Sequence, residues 1–179
     1  MTPAQLRIVQ RTFAIIEKTA EQFSAQFYER LFQLDPEIRS LFRNDIKAQH
    51  SKFMKVIAEV IQLHLRTLMS LPVTASERGQ ALIPGAYWSG KLHYAYGVKA
   101  EHFTTMKEAL FWTMEKTLGP DFTPEAHDAW NTAYDVISRA MQSGMSEIEE
   151  EIPENRKEEP HNTNEAKELS ALFDRLGRR

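Results

Sequence analysis

An all-α fold is what this sequence predicts, and three observations carry the prediction. Apolar residues recur at helical spacing along segment after segment, beginning with Leu6, Val9, Phe13 and Ile16. Capping residues and prolines stand where those segments begin and end. No stretch alternates polar and apolar residues over a useful length, and the turn dipeptides of hairpins are missing. At 179 residues, with 42% hydrophobic residues, the chain is long enough to bury a core as one domain of ordinary size.

Thr2-Pro3-Ala4-Gln5 reads as the first helix start, with Thr as the cap, Pro in the first turn and Gln three residues on. Thr19-Ala20-Glu21-Gln22 repeats the pattern and opens a second helix with Phe23, Phe27, Leu31 and Leu34 inward. Asp35-Pro36 breaks it, since proline disfavours helix at the preceding residue. A short turn over 37–41 leads to Phe42, and Asn44 and Asp45 cap a long helix over about 46–69. Its inward face is Ile46, Phe53, Ile57, Val60 and Leu68. Residues 70–84 read as a surface connection. A short helix then starts at Pro84, carries His93 near its end and stops at Gly97, a left-handed cap. Residues 98–118 form another long helix with Phe103, Met106, Leu110 and Met114 inward, ended by Gly119-Pro120. Thr123-Pro124-Glu125 opens the last core helix, where Trp130, Tyr134, Ile137 and Met141 face in and Gly144 closes. The expected organisation is a domain over 1–144 and a charged, flexible tail over 145–179, with an amphipathic helix at 164–176.

Composition narrows the function classes. There is no cysteine, which excludes disulfides, thiolate catalysis and Cys-ligated metal centres. The formal net charge is −3, giving no reason to propose nucleic acid or an anionic membrane as a partner. Acidity is concentrated: residues 145–160 hold seven Glu against one Arg and one Lys. The N-terminus lacks a leader pattern and no apolar run is long enough to span a bilayer, so a cytoplasmic location is expected.

Taken singly, the polar candidates have ordinary explanations. A half-buried His93 is most simply a packing residue, and a buried Tyr28 needs only one hydrogen-bond partner. Gln49 and Lys52 read as solvated residues of a long helix, and His50, His64, His102, His127 and His161 as surface or structural histidines. The order of landmarks changes this. Phe27-Tyr28, then Pro36 to Leu41-Phe42, then Gln49 with Phe53 four residues later, then His93-Tyr94-Ala95-Tyr96-Gly97-Val98, then Phe122-Thr123-Pro124 with Ala129-Trp130 follow one another over residues 2–144. Together they resemble the globin family, most strongly its single-domain bacterial and neuroglobin-like members.

The resemblance implies a globin fold, a 3-on-3 helical sandwich, holding haem b (iron protoporphyrin IX). His93 takes the place of the proximal iron ligand. A ligating imidazole uses one nitrogen and needs an acceptor for the other N–H, and Ser89 lies one helical turn earlier. Phe42 would pack on the porphyrin, Val98 would seal the proximal edge, Lys52 would reach a propionate, and Tyr96, Phe53 and Phe103 complete the pocket. On the distal side Tyr28 and Gln49 would both donate hydrogen bonds to a bound diatomic ligand that gains negative character. Aligning Met54 and Ile57 with the family's distal helix sets Gln49 over the iron and turns His50 about 100° away. That register disfavours His50 as a second iron ligand.

A Tyr/Gln pair is similar to that of globins which hold oxygen tightly and turn over nitric oxide. The implied ligands are O2, NO and CO, and the implied roles are oxygen binding or transport and nitric oxide detoxification as a dioxygenase. No glycine-rich FAD- or NAD-binding fingerprint is present, so a dioxygenase cycle would draw on an external reductase or other reductant. Three departures matter. The connection over 71–83 is about a dozen residues longer than usual, a length that a lid, a homodimer contact or a passive loop would each explain. Phe53 replaces a smaller residue and should narrow the distal pocket. The Tyr and Glu that polarise the proximal His in flavohaemoglobins correspond to Phe103 and Met145, so the anionic push is expected to be absent. The alternative expectation is a haem-based gas sensor or regulatory globin that signals through the 71–83 loop or the tail.

Overall fold

The computed structural model describes residues 1–42, 53–55, 57–58 and 84–151, and among them every regular element is helical. Helix α1 spans Pro3–Glu17 and α2 spans Ala20–Leu34. A 3₁₀ turn follows over Pro36–Leu41, and residues 53–55 and 57–58 are helical. Helix α3 spans Pro84–Ala95, α4 Ala100–Leu118 and α5 Pro124–Glu151, with a 3₁₀ turn Gly119–Asp121 before α5.

Two compact units organise these helices. The first comprises residues 1–82 and 101–136, the second 83–100 and 137–179. The core of the first is built from Val9, Phe13 and Ile16 of α1, Phe23, Phe27, Tyr28 and Leu31 of α2, Leu110 and Met114 of α4, and Trp130 of α5. Phe23 and Phe27 are each 1% exposed, burial worth about 2–3 kcal/mol apiece. Two buried hydroxyls are satisfied within this core, and Thr12 also ties α1 to α5. Thr12 donates to the Ile8 carbonyl at 2.8 Å and accepts from the Trp130 indole N–H at 2.9 Å. Thr113 donates to the Ala109 carbonyl at 2.7 Å.

The expected caps form at some termini only. Thr2 and Gln5 make a reciprocal capping box at the start of α1. Thr19 occupies the same position before α2, yet its hydroxyl turns back to the Ile16 carbonyl at 3.3 Å and caps nothing. The connection from α1 is too short for it: Lys18 and Thr19 still donate their amides to the last carbonyls of α1. Asp35 ends α2 and its carboxylate accepts from the Glu37 amide at 3.0 Å, starting the 3₁₀ turn.

Gly144 does not close α5. The helix runs through it to Glu151, past the domain end expected at 144. A mid-helix glycine costs about 1 kcal/mol relative to alanine. It is retained here because a Cβ at residue 144 would collide with the Tyr87 carbonyl of α3. Met145, 6% exposed, continues the buried face beyond it. The expected helix over 46–69 is described only at 53–55 and 57–58. The connection at 71–83 and the amphipathic segment at 164–176 lie outside the described residues.

Candidate functional site

The predicted site residues fall into two sets, one in each compact unit. In the first unit, apolar spacing on α2 puts Phe27 and Tyr28 in the core, and the 3₁₀ turn delivers Phe42 at its end. Phe42 meets Tyr28 edge-on, with ring centroids 5.4 Å apart. Phe53 stacks on Phe27 at 4.5 Å with planes 7° apart, and its edge meets Tyr28 at 5.9 Å. Phe32 closes the group at 6.0 Å from Tyr28 and 5.5 Å from Phe42. Tyr28 is 6% exposed, and burial pushes its phenol up to about 12, so it remains a protonated donor throughout the neutral range. Phe103 is buried on α4, and its carbonyl accepts from the Tyr134 hydroxyl at 2.6 Å. Burial and the Asp135 carboxylate both raise the Tyr134 phenol, so this donor also keeps its proton.

In the second unit, α3 carries His93 close to its C-terminus. Gly97 has φ +85° and lets the chain close in the left-handed cap expected there. Its amide donates to the Tyr94 carbonyl at 2.8 Å, and the Val98 amide donates to the His93 carbonyl at 2.9 Å. Val98 therefore fixes the backbone of His93. The ring is fixed separately: Nδ1 lies 2.7 Å from the Ser89 carbonyl and 3.3 Å from the Ser89 hydroxyl. A carbonyl only accepts, so Nδ1 carries the proton and Nε2 keeps a free lone pair. Burial lowers the His93 pKa while the Ser89 carbonyl raises it, and burial wins, leaving the ring neutral at neutral pH. Tyr96, 49% exposed, sits in the turn after the helix.

His93 is thus a neutral imidazole with one nitrogen committed and the other able to coordinate a metal. Among the described residues no group of three or more His, Asp or Glu is placed to hold an ion. A neutral imidazole with one nitrogen available is a donor that haem iron takes from a protein, so His93 fits haem. Gln49 and Lys52, with the rival His50, lie outside the described residues. An open surface hollow of about 500 Å³ at Lys18, Thr19, Glu21 and Gln22 contains none of the predicted site residues.

Sequence reasoning missed three neighbours of these sets. Helical spacing places Phe27 in the core, and the ring stacks directly on Phe53, a contact between distant segments that no spacing announces. The Tyr134 hydroxyl on the Phe103 carbonyl is equally non-local. Lys91 is different, because its signal is local: it follows Tyr87 by four residues and Trp88 by three. Its ammonium lies 5.1 Å and 5.0 Å from those ring centroids.

The family and fold can be compared with known proteins. The sequence model of the globin family matches residues 25–141. Two plant proteins, both named as anaerobic nitrite reductases, are similar over nearly their whole length. The one from Brassica napus is 23% identical over 85% of this chain and 96% of its own. The one from Arabidopsis thaliana is 24% identical over 83% and 96%. Among solved structures, a flavohemoglobin from Malassezia yamatoensis, determined with bound FAD and heme, matches with a TM-score of 0.64 at 16% identity. That match covers 83% of this chain but 37% of the flavohemoglobin, little more than a third of its length, and shows the shared fold alone. The family pattern runs from the Tyr28 helix through His93 and into the last helix, and on it the chain belongs to the globin family.

Proposed function

We propose that this chain is a haem-binding globin that reversibly binds O2 and other diatomic gases, with His93 as the proximal ligand and Tyr28 and Gln49 as distal hydrogen-bond donors. The observation that supports it most is the Nδ1–Ser89 carbonyl bond of 2.7 Å, which leaves Nε2 of a neutral ring as a donor to iron. Haem, when bound, supplies an iron that takes up diatomic gases and exchanges single electrons.

The chain's own residues supply the rest. Ser89 holds the tautomer and orientation of the His93 ring, and Val98 holds its backbone. The phenol pushed up to about 12 keeps the Tyr28 hydroxyl a donor, so it strengthens its hold on a ligand as that ligand gains negative charge. The aromatic rings of Phe27, Phe32, Phe42 and Phe53 surround Tyr28 and exclude water from it. Phe103 and Met145 stand where flavohaemoglobins polarise their proximal His, so no carboxylate push acts on His93 from those positions.

Nitric oxide dioxygenation with an external reductant is the activity we favour, from the Tyr/Gln pairing. A second reading, reduction of nitrite, is supported by the plant relatives, which are named for that activity. The segments that would carry a sensing role, 71–83 and 164–176, lie outside the described residues.

The test is the visible spectrum of the purified protein: ferric, reduced, and reduced under carbon monoxide. A Soret band that moves at each step, and is lost or displaced in His93→Ala, is the expected result. A colourless protein that takes up no added haemin would overturn the reading. So would a His93→Ala variant with unchanged spectra and stoichiometric haem. Consumption of nitric oxide under O2, against reduction of nitrite without O2, separates the two activities.

A further inference from the structure

Helix α3 and the far end of α5 approach each other more closely than side chains normally allow. A Cβ on Gly90 would run into the Met141 carbonyl, and one on Gly144 into the Tyr87 carbonyl. Two glycines thus bring the helices into backbone contact. Such a contact fixes the distance between the helices and leaves their relative rotation to the side chains around it.

A side chain able to act as a rotational stop lies one residue from Gly90. Lys91 is 7% exposed, an unusual burial for an ammonium. Its head is boxed by Tyr87 and Trp88, at 5.1 Å and 5.0 Å, and paired with Glu147 of α5 at 3.4 Å. A buried ammonium tolerates few arrangements, since leaving it without its carboxylate is costly.

At 100° per residue, Tyr87, Gly90, Lys91 and Tyr94 share one face of α3, while Ser89 and His93 share a face about 130° away. A side-chain tip lies about 5–6 Å from a helix axis, so rolling α3 by roughly 10° sweeps the His93 ring through about 1 Å. An error of that size is enough to spoil a ligand geometry.

We infer that Lys91 and Glu147 are positioning residues for His93: the ion pair between the buried Lys91 ammonium and the half-exposed Glu147 carboxylate locks the rotation of α3 on α5, and with it the direction in which Nε2 points. This rests on His93 being the proximal ligand. It also gives a role to the part of α5 beyond Gly144.

The test compares the full-length protein with Glu147→Gln, which removes the charge at a half-exposed position and should fold. Glu150→Gln, the same change at an exposed site on the same helix, is the control, and Glu147→Asp asks whether a carboxylate alone restores the effect. Two readouts are needed: hydrogen exchange of the α3 backbone amides, and the iron–histidine stretching band of the reduced protein just after photolysis of carbon monoxide. In Glu147→Gln we expect α3 amides to exchange roughly two- to fivefold faster, the scale of a partly exposed ion pair. The band should shift or broaden, Glu147→Asp should restore part of both effects, and Glu150→Gln should match the wild type. No change in either readout would overturn the inference. So would faster exchange with an unmoved band, since the pair would then be structural only, or an equal effect in Glu150→Gln. A wild-type protein lacking any iron–histidine band would instead sink the ligation by His93, and the exchange data would still decide whether the pair locks α3.

Discussion

Tyr28 and His93 are held in opposite ways. Tyr28 stands in a crowd of rings: Phe27, Phe32, Phe42 and Phe53 all lie within 6.0 Å, and side-chain bulk fixes it. His93 is held through the backbone. The Ser89 carbonyl accepts a hydrogen bond from its ring N–H, the Val98 amide donates to its carbonyl, and two glycines let its helix dock on α5. The first arrangement is weakened by taking atoms away and the second by adding one. A ligand donor that only needs to stay dry can be packed loosely in angle, whereas a metal ligand must be aimed.

The largest expected effect lies on the Tyr28 side. Phe27→Ala empties a position 1% exposed and should cost about 3–5 kcal/mol in denaturant unfolding. Next comes the opposite change on the His93 side. Gly90→Ala adds one methyl group against the Met141 carbonyl and should cost about 2–3 kcal/mol. It should also disturb haem spectra, which Phe27→Ala should move less per unit of stability lost. If Gly90→Ala were neutral, the backbone contact would not be holding α3 and the contrast would collapse.

Smaller effects sharpen the comparison. Thr12→Val keeps the volume but strips the Trp130 indole N–H of its acceptor, and should cost about 1–2 kcal/mol with haem spectra unchanged. Tyr28→Phe should lie within about 1 kcal/mol of wild type at neutral pH while speeding O2 dissociation. Its pH signature has a definite sign. The phenol is raised from 10.0 to about 12 in the fold, so its contribution is fully present below pH 10 and lost as pH climbs from 10 to 12. The unfolded chain gives up that proton first. Tyr28→Phe should therefore lose less stability than wild type over that window; an equal loss would mean the hydroxyl is not buried in solution.

Much of this was legible in the sequence because it is local. The capping box at Thr2, the break at Asp35-Pro36, the Gly97 cap and the Ser89–His93 pairing are all spacings of five residues or fewer, which a helix turns directly into contacts. Thr19 failed as a cap although its pattern matched, because the chain before it is still bonded to α1. Gly144 failed as a terminator for a related reason. A glycine that ends one helix and a glycine that lets another helix approach look alike until the second helix is in place. Lys91 could have been singled out from its spacing to Tyr87 and Trp88, but its carboxylate partner is 56 positions away, and only folding brings the two together.

The central claim is that Nε2 of His93, aimed by Ser89, ligates the haem iron. The most direct measurement is the reduced carbon monoxide spectrum of His93→Gly, taken with and without added imidazole. The variant should lose the wild-type spectrum, and free imidazole, entering the space left by the ring, should restore it. A His93→Gly protein whose spectrum matches wild type without imidazole would contradict the account.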